Sequence, residues 1–148
     1  MEQGKRERIL RAVAWGLVVL TVAFILSRSA KGKTASDGES LWVTELLRRL
    51  LCNDGISHAF VRKLAHFTEF FLLGAELSFL LWTERRCGVQ WYVNGWFAGL
   101  LCALCDETVQ IFSGRGPAIA DVWLDTAGMT CGLLLLLGVR LTVRRLKR

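Results

Sequence analysis

Four mostly apolar stretches, 9–26, 64–82, 91–112 and 119–139, alternate with short polar segments along the chain. Each approaches the roughly 20 residues that an α-helix needs to cross hydrocarbon. Inside hydrocarbon, backbone groups must bond within their own segment, and no stretch shows the dyad alternation of a barrel strand. The pattern therefore predicts an all-α fold: an integral membrane bundle of four transmembrane helices, forming one domain over residues 1–148.

The outer loop between the first two stretches, 27–63, has its own pattern. Residues 27–40 are polar, lack apolar periodicity and read as a surface loop, with Ser40 placed as a helix N-cap. Over 41–52 the residues Leu41, Val43, Leu46, Leu47, Leu50 and Leu51 recur at helical spacing with Arg48 and Arg49 between them. That is the signature of an amphipathic helix lying at the interface, serving as a connector or as a lid over a polar site. Asn53-Asp54-Gly55 ends it, and Ser57 is placed to cap the helix that carries the second span.

Composition agrees with a membrane location. Of 148 residues, 53% are hydrophobic, with six tryptophans and one proline, and the mean hydropathy is +0.38. Trp82, Trp91, Trp96 and Trp123 fall near span ends, as aromatic belts do. Lys5, Arg6 and Arg8 before the first apolar run resemble a signal peptide, but the run is longer than a typical h-region and Arg28 fits poorly beside a cleavage site. The segment is read as a retained first span.

Charge sets the expected orientation. With four crossings both termini share one side, which then holds Lys5, Arg6, Arg8, Arg11, Arg85, Arg86 and the basic tail from Arg140 onward. The positive-inside rule makes that side the cytoplasm and the protein a multi-pass plasma-membrane protein. The net charge of +6 is concentrated at the termini, where it suits an anionic inner leaflet; no nucleic-acid signature is present. Arg62, Lys63 and Arg115 breach the rule by lying against the membrane on the outer side, which suggests that they hold an anion. The five cysteines are odd in number and imply no disulfide framework, and Cys102 and Cys105 read as small packing residues.

Ionisable groups within the spans are the strongest functional signal, since each costs roughly 2.5–3.5 kcal/mol at mid-bilayer on the insertion scale. Arg62, His66, Glu69 and Glu76 share one helical stripe. Asp106 and Gln110 share another with Gly95, Gly99 and Cys102, with Glu107 offset by one residue. Asp121 and Asp125 lead a third with Gly128 and Gly132. Under the four-span topology, Arg62, Lys63, His66, Glu69, Asp106, Glu107, Gln110, Arg115, Asp121 and Asp125 all fall near the outer leaflet and are expected to line one pocket, with Glu76 deeper.

Several roles are open to these residues. They could tie helices together, with Arg62 or Arg115 neutralising carboxylates. They could bind a polar head group, Arg115 offering its planar fork to a phosphate or carboxylate. They could do acid–base chemistry, with His66, Glu69 and Glu107 as the candidate catalytic groups and Glu69 fixing the His66 tautomer. A metal site is conceivable from His66, Glu69, Asp106, Glu107 and Asp125, but no H-E-x-x-H or equivalent spacing appears, so no metal site and no cofactor is assigned.

Arg62-Lys63-Leu64-Ala65-His66-Phe67 with Glu69 and Leu73-Gly74, then Asp106-Glu107, Gln110, Phe112 and Gly114-Arg115, then Asp121, Asp125, Gly128 and Gly132, resemble in order and spacing the two signatures of VanZ-like membrane proteins. Ser113 replaces the proline usual before Gly-Arg in that family, and Asp125 stands where many members have asparagine. The resemblance implies a bacterial or archaeal integral membrane protein of a family named for resistance to the glycopeptide teicoplanin; it supplies no reaction. The expected function is binding of a cell-envelope lipid precursor or a lipid-tailed glycopeptide by the outer pocket. The alternatives are an enzyme acting on a lipid-linked substrate and a proton-coupled lipid transporter, which with so few helices would need to oligomerise.

Overall fold

In the computed structural model the chain forms five helices: α1 Glu2–Ser29, α2 Lys33–Leu51, α3 His58–Thr83, α4 Val89–Phe112 and α5 Ile119–Leu146. The structure describes all residues except Met1, Asn53, Arg115, Pro117 and Arg148, and describes residues 33–37, 39, 40 and 51 by their backbone alone. No strand occurs among the described residues.

Three helices, α1, α3 and α5, are long and apolar enough to cross a membrane. The fourth expected span, α4, has 24 residues but is not among them. Gln90, Asn94 and the polar run from Asp106 to Gln110 dilute its apolar character.

The segment read as a polar loop is largely helical. α2 begins at Lys33, and Ser40 lies within it rather than capping it. Lack of apolar periodicity marks a sequence without an apolar stripe; it does not by itself forbid helical backbone, even where Thr34, Ser36, Asp37, Gly38 and Ser40 have modest propensity. At its far end α2 stops at Cys52, which adopts a left-handed φ of 49°. Arg48 then pins the following turn by donating from Nε and Nη2 to the Ile56 carbonyl at 3.0 and 2.8 Å. Ser57 caps α3, its hydroxyl accepting from the Phe60 amide at 3.1 Å; the Asn53 part of the turn lies outside the described residues.

The most extensive helix contact is between α3 and α5. Its basis is a set of glycines facing backbone on the opposite helix: Gly74 against the Met129 carbonyl, Gly128 against the Phe67 carbonyl and Gly132 against the Phe71 carbonyl. A Cβ at any of these would strike main chain, which cannot swing away as a side chain can, so the seam requires glycine. Gly99 similarly seats the Met129 side chain, bringing α4 onto the same pair. Ile25, Phe70, Leu73, Ala103 and Met129 form the small apolar core where α1, α3, α4 and α5 meet.

Outside this core the usual distribution is inverted. Leu20, Trp15, Phe97, Leu101, Trp123 and Leu135 are exposed, whereas Glu76, Asp106, Glu107, Gln110, Asp125 and Arg140 are buried. Water favours the opposite arrangement, and large exposed apolar faces mark surfaces that another apolar phase covers. On helices of this length that phase is the acyl interior of a bilayer.

Candidate functional site

Ser29, Asp106, Glu107, Gln110 and Asp125, all buried, gather at one end of the bundle, where α1 ends, α3 begins, α4 ends and α5 begins. Helical spacing explains each contribution. On α3, His66 and Glu69 are three residues apart on one face; on α4, Asp106 and Gln110 are four apart; on α5, Asp125 lies one turn from Gly128, where the main chains of α3 and α5 are in close contact. The glycine seam thus draws the α5 carboxylate up to the α3 imidazole.

The cluster is continuous. His66 Nδ1 lies 3.8 Å from Asp106 Oδ2 and 3.8 Å from Asp125 Oδ1. Gln110 Nε2 donates to Asp106 Oδ2 at 3.0 Å and to Glu107 Oε1 at 2.8 Å. Glu107 Oε2 accepts from the Ala118 amide at 2.9 Å, tying the end of α4 to the start of α5. The offset of Glu107 from the Asp106 stripe therefore has a structural use at the turn.

Two members come from 27–29, which the sequence pattern places in the surface loop beyond the first span and which the structure makes the last turn of α1. Arg28 Nε lies 3.5 Å from Glu69 Oε1, and the Ser29 hydroxyl donates to Asp106 Oδ1. The available signal is depth: the last turn of α1 reaches the same level as the start of α3. Glu76, the deeper acid, accepts from the Thr21 hydroxyl of α1 at 2.9 Å. His66 is bracketed by aspartates from two other helices, so its orientation does not depend on Glu69 alone.

The remaining candidates stand differently. Arg62 is half-buried and Lys63 exposed, and among the described residues no hydrogen bond or ion pair joins either to the cluster. Asp121 sits one turn before Asp125, half-buried, with no side-chain hydrogen bond among the described residues. Arg115, and with it the expected anion-holding turn, lies outside the described residues.

Exposure grades across the cluster. Asp106 and Asp125 are wholly buried, the His66 and Glu69 side chains are each 15% exposed, and Arg28 is 33% exposed. Among these residues the more exposed ones lie on α1 and α3. Among the described residues the acids of the cluster form an ion pair with one arginine, Arg28. Both Asp125 oxygens lack a hydrogen-bond donor among the described residues.

Such a cluster, enclosed by helices whose outer faces are leucine, phenylalanine and tryptophan, defines a helical membrane protein with a polar centre. The chain belongs to the VanZ/LLP1 family, whose model matches residues 11–141. No curated protein and no solved structure matches it.

Proposed function

We propose that this VanZ-like protein is a non-enzymatic binding protein of the bacterial plasma membrane. In this reading α4 is the fourth crossing, both termini are cytoplasmic, and the polar cluster opens toward the outer leaflet. Its ligand is the polar head group of a lipid-linked cell-envelope precursor or of a lipid-tailed glycopeptide, and binding contributes to teicoplanin resistance. The supporting observation is Asp125: a fully buried carboxylate with neither oxygen hydrogen-bonded among the described residues. A buried acceptor without a donor is costly, and hydroxyls, amides or amines of a head group are donors that would relieve it. Asp106, Glu107, Gln110 and Asp121 would contribute further acceptors. Arg28, Arg62, Lys63 and Arg115 would hold the phosphate or carboxylate.

Expression in a glycopeptide-susceptible bacterial host tests this. Glu107→Ala and Asp106→Asn are expected to abolish protection against teicoplanin at unchanged membrane abundance. Full protection by either variant at normal abundance overturns the proposal.

A second reading is favoured by the position of His66 between two aspartates, an arrangement suited to a general base. In that case the protein acts on a lipid-linked substrate, with Glu69 or Glu107 assisting. Incubating purified protein with envelope lipids would then change a product mass that the His66→Gln variant leaves unchanged. Identical lipid masses with and without the protein exclude the enzyme.

A further inference from the structure

We propose that His66, Asp106 and Asp125 form a binding site for one divalent cation of the zinc or manganese class. Each residue comes from a different helix, and one ligand atom from each lies within 4.8 Å of the others. A cation about 2.1 Å from each of its ligands holds them roughly 3.4 Å apart in tetrahedral geometry. The two separations from His66 Nδ1, each 3.8 Å, need to close by only a few tenths of an ångström to reach that spacing.

The second ground for the site is the condition of the ligands. Asp125 is wholly buried, its Oδ1 faces His66 Nδ1, and neither of its oxygens has a hydrogen-bond donor among the described residues. Asp106, also wholly buried, is oriented by donors from outside the trio: Ser29 on Oδ1 and Gln110 on Oδ2. Donors that orient a carboxylate without occupying all its lone pairs are what a metal ligand needs around it. No lysine or arginine forms an ion pair with either aspartate among the described residues. With both carboxylates ionised and the imidazole neutral, as metal ligation requires, the trio would carry −2, which one divalent cation neutralises.

The ligand chemistry selects the class. Imidazole nitrogen with two carboxylates suits zinc or manganese, whereas magnesium and calcium prefer sites made wholly of oxygen. The trio is invisible to a motif search because the residues lie 40 and 19 positions apart in sequence. The cation and a head-group donor would use the same Asp125 oxygens, but counting bound metal in the absence of any head-group ligand reads the cation alone, so either can fail without the other.

The test uses the full chain in lipid nanodiscs, stripped with chelator and equilibrated with zinc, manganese or magnesium chloride. Bound metal is counted by elemental mass spectrometry, and thermal unfolding is followed in parallel. The expected result is about one zinc or manganese ion per chain, a raised Tm with either metal, and neither effect with magnesium. His66→Gln and Asp125→Asn, confirmed as folded by circular dichroism, should lose the bound metal. Ser29→Ala, which removes an orienting donor, should weaken binding by about tenfold while keeping the stoichiometry. Metal content in the wild type no greater than in folded His66→Gln overturns the site, as does a Tm rise with magnesium equal to that with zinc.

Discussion

The two ends of the helix bundle solve the same problem, a charged side chain out of reach of water, in opposite ways. At the end where α3 starts, acids outnumber the one arginine paired with them among the described residues, and Asp125 is left without donors there. At the end where α3 stops, the buried charge is Arg140, only 2% exposed, and it is largely provided for. Its Nη1 donates to the Arg86 carbonyl and the Tyr92 hydroxyl, both at 2.9 Å, and its Nη2 to Cys87 Sγ at 3.0 Å. Only Nε has no partner among the described residues.

That basic end is a clasp. Arg86 stacks over the Trp91 ring at 4.0 Å, Arg85 reaches Glu7 of α1 at 2.6 Å, and Arg140 binds the turn between α3 and α4 to α5. Each of these partners belongs to the chain itself, so the clasp forms without a ligand. At the acidic end the Asp125 oxygens have no donor among the described residues, and the proposed head group or cation would supply what they lack. Unsatisfied buried groups persist where function requires them, and satisfied ones where structure does.

This contrast predicts mutations of opposite sign. Arg140→Met should have the largest effect, lowering stability by about 2 kcal/mol, because the half-buried Tyr92 hydroxyl loses its donor and the tie between the α3–α4 turn and α5 is cut. Thermal unfolding in nanodiscs measures it, and a Tm equal to wild type would show that the clasp is dispensable. Asp125→Asn should do the reverse. In metal-free protein it replaces a buried, donorless carboxylate by a neutral amide and should raise stability by about 1 kcal/mol. A clear loss of stability would mean that Asp125 is already satisfied, and the contrast between the ends would fall.

The smallest effect concerns Cys87, which is exposed in the turn after α3. The hydrogen bond from Arg144, at 3.1 Å, is the main cause that lowers its thiol pKa below 9.0, with the nearby positive charge of Arg140 adding to it. Because the thiolate is the nucleophile, alkylation below pH 9.0 should be faster in the wild type than in Arg144→Ala. The difference should shrink as pH rises past 9.0, where both proteins are thiolate. Rates that remain equal across the whole range would show that the arginine does not tune this thiol.

Much of the fold is legible along the chain because a helix that faces lipid must be apolar around most of its circumference, and that pattern is local. The 64–82 and 119–139 stretches, the Ser57 cap and the small-residue stripe at Gly128 and Gly132 are all readable in this way. Helix α2 is longer than its apolar pattern: residues 33–40 are helical in backbone although their sequence carries no apolar repeat, and periodicity detects only such a repeat. The polar stripes can be read for the same local reason: a 3.6-residue repeat shows which residues share a helix face.

Which residues meet across helices depends on how the helices pack, and no local pattern records that. Hydropathy and spacing, being properties of consecutive residues, were enough to put carboxylates and an imidazole on faces of apolar helices. Packing alone set His66 between Asp106 and Asp125, brought Arg28 to Glu69 and Ser29 to Asp106, and joined neither Arg62 nor Lys63 to the cluster among the described residues. The difference originates in the α3–α5 seam. Glycine at 74, 128 and 132 permits backbone contact, and that contact sets the register of two helices whose ends carry the charges.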